Sequence, residues 1–374
     1  MPRADSAPRL MKDGLGKPAV VRLCAALSAA DPDFDGADFQ RRAVRGLRAL
    51  ELKDRVRHLM AVMTVCLPDD YERALQIVLA AGENFPVGDP EDSLNGFASW
   101  PLIDWVAERG LDHFDLSLAA LRRLTLLFSA EFAVRAFLLA DPERALATLY
   151  GWRADPNHHV RRLISEGTRP LLPWGQQLPM FREDPQPVLK LLTALRDDSS
   201  EYVRRSVANN LNDIAKDHPE VVVKTAGQWW RGGSDERRAL VRHGLRTLVK
   251  KGDAGALQVL GFTTDPQVKI SFVLTEPELA IGQSQELQLV LKSTARRSQK
   301  LVVDYAVHHQ RSGGKVSAKV FKWRNVDLAP GAEVRLVKKH AFVPRSVRRL
   351  YPGEHQVEVL VGGRVLASSR FELI

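Results

Sequence analysis

Cysteine is almost missing from this chain. Cys24 and Cys66 are the only two in 374 residues, and neither has a His or Cys partner at ligand spacing. That excludes a disulfide framework and a structural zinc site. Long apolar runs are missing too: charge interrupts each one well short of the ~18 residues that a membrane-spanning helix needs. The first residues, MPRADSAPRLMKDGLGKPAV, are basic in places but lack the continuous apolar core of a secretory signal, so the expected compartment is the cytosol. Residues 1–18 show no periodic apolar pattern and are expected to form a mobile tail. No residue set has the form of a metal centre or a redox cofactor site, so the expectation is a protein that works with no cofactor.

Acidic residues are scarce in one part of the chain only. The formal net charge is +9, and from Lys269 to the end there are 18 Lys and Arg against 9 Asp and Glu. The first 268 residues balance at 36 of each sign. A basic module joined to a neutral one implies an acidic partner held by the module, with nucleic acid the leading candidate. The competing explanation is a β domain that is rich in Lys and Arg for solubility.

From Ala19 to about Ala81 apolar residues recur at helical spacing, as in Val20-Val21-Leu23-Cys24-Leu27 and Val56-Leu59-Met60-Met63. The stretch GENFPVGDPEDSLNGFASWP (82–101) is dense in Gly, Pro and Asp and reads as a long ordered loop or an excursion. Helical patterning resumes at LIDWVAERG, with Asp141-Pro142 ending one helix and capping the next. Two runs then resemble each other, HHVRRLISEGTRPLLPW at 158–174 and EYVRRSVANNLNDIAK at 201–216. Placing Val160 over Val203 aligns Arg161 with Arg204 and Arg162 with Arg205 at an offset of 43 residues, the period of stacked helical units. A weaker third copy is Arg237-Arg238-Ala239-Leu240. Asp155-Pro156 and Asp198-Ser199 punctuate the two main copies, and Asp198 with Glu201 has capping-box form.

The texture changes near Asp265-Pro266. Beyond it ISFVLTE, ELQLVLKS, KLVVDYAVHH, KVSAKVFKW, EVRLVKKHAFV, HQVEVLVGG and VLASSRFELI alternate in polarity between Gly, Pro and Ser breaks. Seven short strands in about a hundred residues is the pattern of an immunoglobulin-like sandwich. The fold class expected is therefore mainly α: a HEAT-like helical solenoid over 19–266, followed by a small all-β immunoglobulin-like sandwich over 267–374. Between two of the strands, HHQRSGGK (308–315) reads as a Gly-Gly hairpin tip that carries Arg311 and Lys315.

On a helical wheel Val160, Leu163 and Ile164 make one stripe, with Arg162, Glu166 and Arg169 on the other side. In the second run Val203, Val207, Leu211 and Ile214 make the stripe, Arg205, Asn209 and Asn212 face away, and Asp213 lies on the edge. Each acid also has a plainer reading. Glu166 and Asp213 fit solvated surface acids, Arg162 and Glu166 an i,i+4 surface pair, and Glu131 in FSAEFAVRAF an acid at a helix start behind Ser129. Asn210 points to the apolar stripe, where it is expected to satisfy a buried backbone group. Trp174 fits a core residue sealing a gap between helices, and of Trp229-Trp230 one ring is expected to pack and the other to be exposed.

The segments HHVRRLISEGTRPLLPW and EYVRRSVANNLNDIAKDHPE, followed by the basic β domain, closely resemble the AlkC-type DNA alkylation repair glycosylases, which are built from HEAT-like repeats. The resemblance covers roughly residues 15–374, and the sandwich points to the branch with an immunoglobulin-like domain. It implies excision of cationic methylated bases, chiefly 3-methyladenine and 3-methylcytosine, from double-stranded DNA without flipping the base, a chemistry that needs neither metal nor cofactor; nothing in the sequence suggests an obligate dimer, so a monomer is expected. It further implies that a carboxylate stabilises the sugar cation and directs water. Asp213 is the first candidate, Glu166 the second and Glu131 the third. Trp174 would lie against the deoxyribose or the cationic nucleotide. Arg162, Arg169 and Arg205 would hold phosphates, and Arg161, Asn209, Arg311 and Lys315 complete the set expected at DNA. The reading from another class is a catalytically inert HEAT-like scaffold that binds protein or damaged DNA.

Overall fold

The computed structural model describes residues 10–344 and 349–374. Helices run from Lys17 to Val259 and strands from Val268 to Leu373, so the helical and all-β parts expected from patterning are both present. The chain forms two compact units, one closing at Ile214 and the other opening at Ala215.

In the first unit the apolar stripes are buried as their spacing requires. Val160, Leu163 and Ile164 in the His158–Gly167 helix, and Val203, Val207 and Leu211 in the Glu201–Ile214 helix, are at most 2% exposed. These two helices are also joined by polar contacts. Asn210 donates from Nδ2 to the Ser165 carbonyl at 2.8 Å, satisfying a buried backbone group as expected. Gly167 ends the first helix where an added Cβ would lie 2.5 Å from Val134 Cγ1, so only glycine allows this approach.

The punctuation is partly as expected. Asp141 caps the Pro142–Gly151 helix through the Arg144 N–H. Asp198 is no capping-box residue: its Oδ1 accepts from Ser200 N at 2.9 Å and its carboxylate takes both arms of Arg161. The 82–101 stretch is only in part a loop, since the Asn95–Ser99 3-10 turn leads directly into the Trp100–Arg109 helix. Of the tail expected over 1–18, residues 1–9 lie outside the described residues. The rest is structured: Met11–Leu15 forms a 3-10 turn with Leu15 fully buried, and a helix starts at Lys17.

In the second unit, the helices Pro219–Trp230, Asp235–Gly244, Arg246–Lys251 and Ala254–Val259 precede the strands. Trp229 is 2% exposed, whereas the ring of Trp230 is half-buried beneath the guanidinium groups of Arg238 and Arg242. The strands are β1 (Val268–Leu274), β2 (Glu278–Leu279), β3 (Ser284–Ser293), β4 (Gln299–Gln310), β5 (Val316–Leu328), β6 (Glu333–Ala341), β7 (Gly353–Val361) and β8 (Arg364–Leu373). The two-residue β2 is the one that patterning missed. One sheet has the order β1-β3-β6 and the other β2-β8-β7-β4-β5. Between them Leu289, Leu291, Leu301, Val303 and Val359 form one core layer, and Tyr305, Val307, Phe342, Val357 and Phe371 another. The sandwich has no cysteine and is held by this packing. The β4–β5 hairpin turns at Ser312–Gly314, with Gly313 and Gly314 both at positive φ and Arg311 and Lys315 exposed.

Candidate active site

Three acids from three different elements of the first unit converge. Glu131 sits in the turn before the Val134–Ala140 helix, Glu166 in the last turn of the His158–Gly167 helix, and Asp213 in the last turn of the Glu201–Ile214 helix. Two arginines tie them together. Arg169 donates from Nε to Asp213 Oδ2 at 2.7 Å and from Nη1 to Glu166 Oε1 at 2.6 Å. Arg162 donates from Nη1 to Glu131 Oε2 at 2.9 Å, and its Nη2 lies 3.7 Å from Glu166 Oε2. Ser206 donates to Glu166 Oε2 at 2.6 Å, and Ser165 in turn donates to Ser206 at 2.7 Å.

Burial decides between the readings of these acids. Glu166 is 5% exposed and Asp213 2%, so neither is a solvated surface acid. The i,i+4 contact of Arg162 with Glu166 is the longest in the cluster; the tight partner of Glu166 is Arg169. Burial opposes the charge on Arg169, but the bonds and charges of Asp213 and Glu166 outweigh it and raise its pKa above the usual value. Behind this pair Arg135, 1% exposed, donates to the carbonyls of Gly167 and Arg169 at 2.9 Å. Burial, helped by the nearby charge of Arg169, pushes Arg135 down to about 10.

Glu131 differs from the other two. Among the described residues every bond to it falls on Oε2, from Ser129 and Arg162, which leaves Oε1 for a water or a ligand. It also borders two cavities. One, of about 350 Å³, is lined by Glu131, Glu166 and Arg169 on its polar side and by Phe97, Trp100, Phe128, Phe132, Trp174 and Met11 on its apolar side. The other, about 370 Å³, adds Ser129, His159, Arg162 and Tyr202. Asp213 is linked to the first cavity through Arg169. The aromatic wall is preassembled, with Trp100 stacked on Phe132 at 5.4 Å between centroids and Phe97 edge-on to Phe128 at 5.4 Å.

Trp174 is no gap-sealing core residue. It is 58% exposed, and its φ of 64° makes it the one non-glycine residue at positive φ among the described residues. Such a conformation costs about 1–3 kcal/mol and has to be held by its surroundings. Lys53 supplies part of the hold by donating from Nζ to the Trp174 carbonyl.

The remaining residues expected at DNA separate by exposure. Arg205 is exposed and Asn209 half-buried. Arg162 lies over the Tyr202 ring at 4.7 Å and is bonded to Glu131. Arg161 is held within the protein by Asp198, at 2.6 and 2.9 Å, and by the carbonyls of Asp155 and Pro156. Arg169 is likewise enclosed between two acids, 8% exposed. Sequence reading missed Met11, Lys53, Arg135, Ser206, Tyr202 and the aromatic wall. Only the wall had a signal, in the phenylalanines that flank Glu131 in FSAEFAVRAF.

Comparison with known proteins gives the chain its family. The family model for the C-terminal Ig-like domain of uncharacterised protein YhaZ matches residues 269–374. YhaZ of Bacillus subtilis (strain 168) is 34% identical over 365 residues, which is 97% of this chain and 99% of that protein. The solved structure of the Pseudomonas fluorescens alkylpurine DNA glycosylase AlkC, bound to DNA containing an abasic site analog, is 38% identical, covers 98% of this chain and 100% of its own, and superposes with a TM-score of 0.90. With identity of that level along both full lengths, this chain belongs to the AlkC/YhaZ family.

Proposed function

We propose that this protein is a DNA glycosylase that hydrolyses the N-glycosidic bond of cationic alkylated bases, 3-methyladenine and 3-methylcytosine, in duplex DNA without flipping the base. The observation that carries the reading is the meeting of Glu131, Glu166 and Asp213 beside an aromatic-walled cavity. The likeness to AlkC, an alkylpurine DNA glycosylase, supports it. A base methylated on a ring nitrogen bears a positive charge, so when the C1′–N bond breaks its electron pair neutralises the base. No acid is needed to protonate the leaving group. The charge left on the sugar is what the protein must stabilise, and carboxylates in a buried setting do this well. Water then adds to C1′ and gives up a proton to a carboxylate, for which Glu131 Oε1 is available. Asp213 and Glu166 fix Arg169 and complete the acid set around the sugar. Trp174 and the aromatic wall offer π faces to the cationic nucleotide.

The test is incubation of the purified protein with duplexes carrying 3-methyladenine or 3-methylcytosine, scoring free base and alkali-labile abasic sites. Release from neither substrate by the wild type rejects the reading. Glu131→Gln, Glu166→Gln and Asp213→Asn should each slow excision by about a hundredfold or more, the loss expected for one positioned electrostatic group. The deficit should be larger with 3-methylcytosine, whose bond is the more stable. Affinity for an abasic duplex should change much less. Asp213→Asn also weakens a buried ion pair, so its melting temperature is to be measured beside its rate. A wild-type single-turnover rate in all three variants would show that the acids are structural.

A further inference from the structure

The cavity beside the acids shares two lining residues with a neighbouring groove. Met11 and Trp174 also border a second space of about 530 Å³, lined further by Leu10, Lys12, Leu52 and Lys53. The side chains at this boundary are apolar and open to solvent: Leu10 is 56% exposed, Met11 45% and Trp174 58%. Three large apolar side chains left in water at one place are unfavourable unless something covers them.

They are also held rigidly. Buried Arg55 donates from Nη1 to the Lys12 carbonyl at 2.6 Å, and Lys12 Nζ reaches Glu51 Oε1 at 2.6 Å. On the other side of the turn an added Cβ at Gly14 would meet Leu94 Cβ at 2.8 Å, so the 3-10 turn is seated on the loop before the Asn95–Ser99 turn. Trp174 is fixed at positive φ with its carbonyl bound by Lys53. The charges of the groove cancel, Lys12 and Lys53 against Glu51 and Asp54. A neutral apolar groove does not suit a phosphate; it suits the flat face of a nucleobase.

We infer that Leu10 and Met11, with Trp174, form an apolar ledge that receives the face of a nucleobase neighbouring the lesion nucleotide in the bound duplex. The inference rests on the glycosylase reading and extends its site to the N-terminal turn. The groove shares Met11 and Trp174 with the acid-lined cavity, so a base seated on it would neighbour the nucleotide that the proposed function sets at the acids. Apolar side chains inserted at an opened base step are a general means of holding DNA distorted.

The experiment uses the full chain and a duplex with a tetrahydrofuran abasic analogue flanked by 2-aminopurine, whose fluorescence rises when it loses its stacking neighbour. Wild-type protein should raise the signal on binding. Met11→Ser should remove most of that rise and weaken binding about tenfold, with the melting temperature unchanged because the side chain is exposed. Met11→Leu should restore both. Glu131→Gln, which leaves the ledge intact, should keep the full fluorescence rise. Overturning results are a Met11→Ser protein with wild-type fluorescence and affinity, or a wild type that binds the duplex without changing the signal. Loss of fluorescence change together with concentration-dependent dimerisation abolished by Met11→Ser would identify a second copy of the chain as the occupant and equally overturn the inference. Should the wild type fail to bind the duplex at all, it is the glycosylase reading that fails.

Discussion

Single side chains set the aromatic wall, and one of them is a carboxyl outside the cluster of three acids. Asp104 lies one turn after Trp100 on the Trp100–Arg109 helix, and its Oδ2 accepts from Trp100 Nε1 at 2.8 Å. Burial pushes Asp104 from the ordinary 3.8 up to about 7, against the pull of the Trp100 bond and of Lys53. The folded protein therefore retains this proton over a range in which the unfolded chain has lost it. Stability from this group is highest at low pH, falls as pH rises from about 4 to about 7, and is level above that. Asp104→Asn keeps an acceptor for the indole and removes the titration. Its melting temperature should lie closest to the wild type near pH 4.5 and exceed it by several degrees at pH 8, since a rise from 3.8 to about 7 is worth up to ~4 kcal/mol. A difference that does not grow with pH would show that Asp104 is ionised without penalty. None of this was legible in the sequence. Glu131, Glu166, Asp213 and Trp174 stand in motifs, but Asp104 acquires its role only from what buries it, and Lys53 meets a carbonyl 121 residues away.

Elements explain why Arg-Arg recurs at helix starts. The first arginine of each pair clamps the turn before its own helix: Arg161 binds the carbonyls of Asp155 and Pro156, and Arg204 those of Asp198 and Ser199. The carboxylates of these turns receive an arginine from the preceding layer, Asp155 from Arg122 and Asp198 from Arg161. So the 43-residue repeat encodes a ladder that stitches neighbouring layers, while the second arginine, Arg162, is left for the site. Periodicity made the repeat legible. It did not say which arginine does which, because both lie on polar positions and differ only in the neighbour each meets. Arg161→Ala should lower stability by ~1.5–3 kcal/mol, the usual net worth of hydrogen bonds between charged groups in a part-buried pair. The salt dependence of DNA affinity, measured below the melting transition, should keep its slope. A slope shallower by about one would instead place Arg161 on a phosphate.

For the whole molecule, charge and packing divide the chain at different points. The excess of positive charge begins at Lys269 and the strands at Val268, yet the second compact unit opens at Ala215 and includes the four helices before them. The join is built in backbone. Gly252, at φ 76°, ends the Arg246–Lys251 helix against Gly363, at φ 82°, in the β7–β8 turn, where an added Cβ on Gly252 would come within 2.6 Å of Gly363 Cα. Helical periodicity reports that 219–259 is helix, but which layer it joins depends on such contacts, which leave no period in the sequence. Deleting 269–374 would therefore cut through a packed unit and confuse lost charge with lost folding. Neutralising the hairpin tip avoids this. Arg311 and Lys315 are exposed, and the Arg311 Nε bond to Ser317 at 2.7 Å is a surface contact whose loss costs little. If the tip meets DNA, Arg311→Gln with Lys315→Gln should weaken duplex binding uniformly across sequences and make the slope of log affinity against log salt shallower by up to about two, since two phosphate contacts release two fewer counterions. Excision at saturating protein should remain near the wild-type rate, because the acids lie in the other unit. If the basic residues serve solubility alone, the double variant will precipitate more readily while its affinity and slope stay those of the wild type. A loss of affinity with no change of slope would fit neither outcome and would point to a tip that folds differently, which the melting temperature of the variant would reveal.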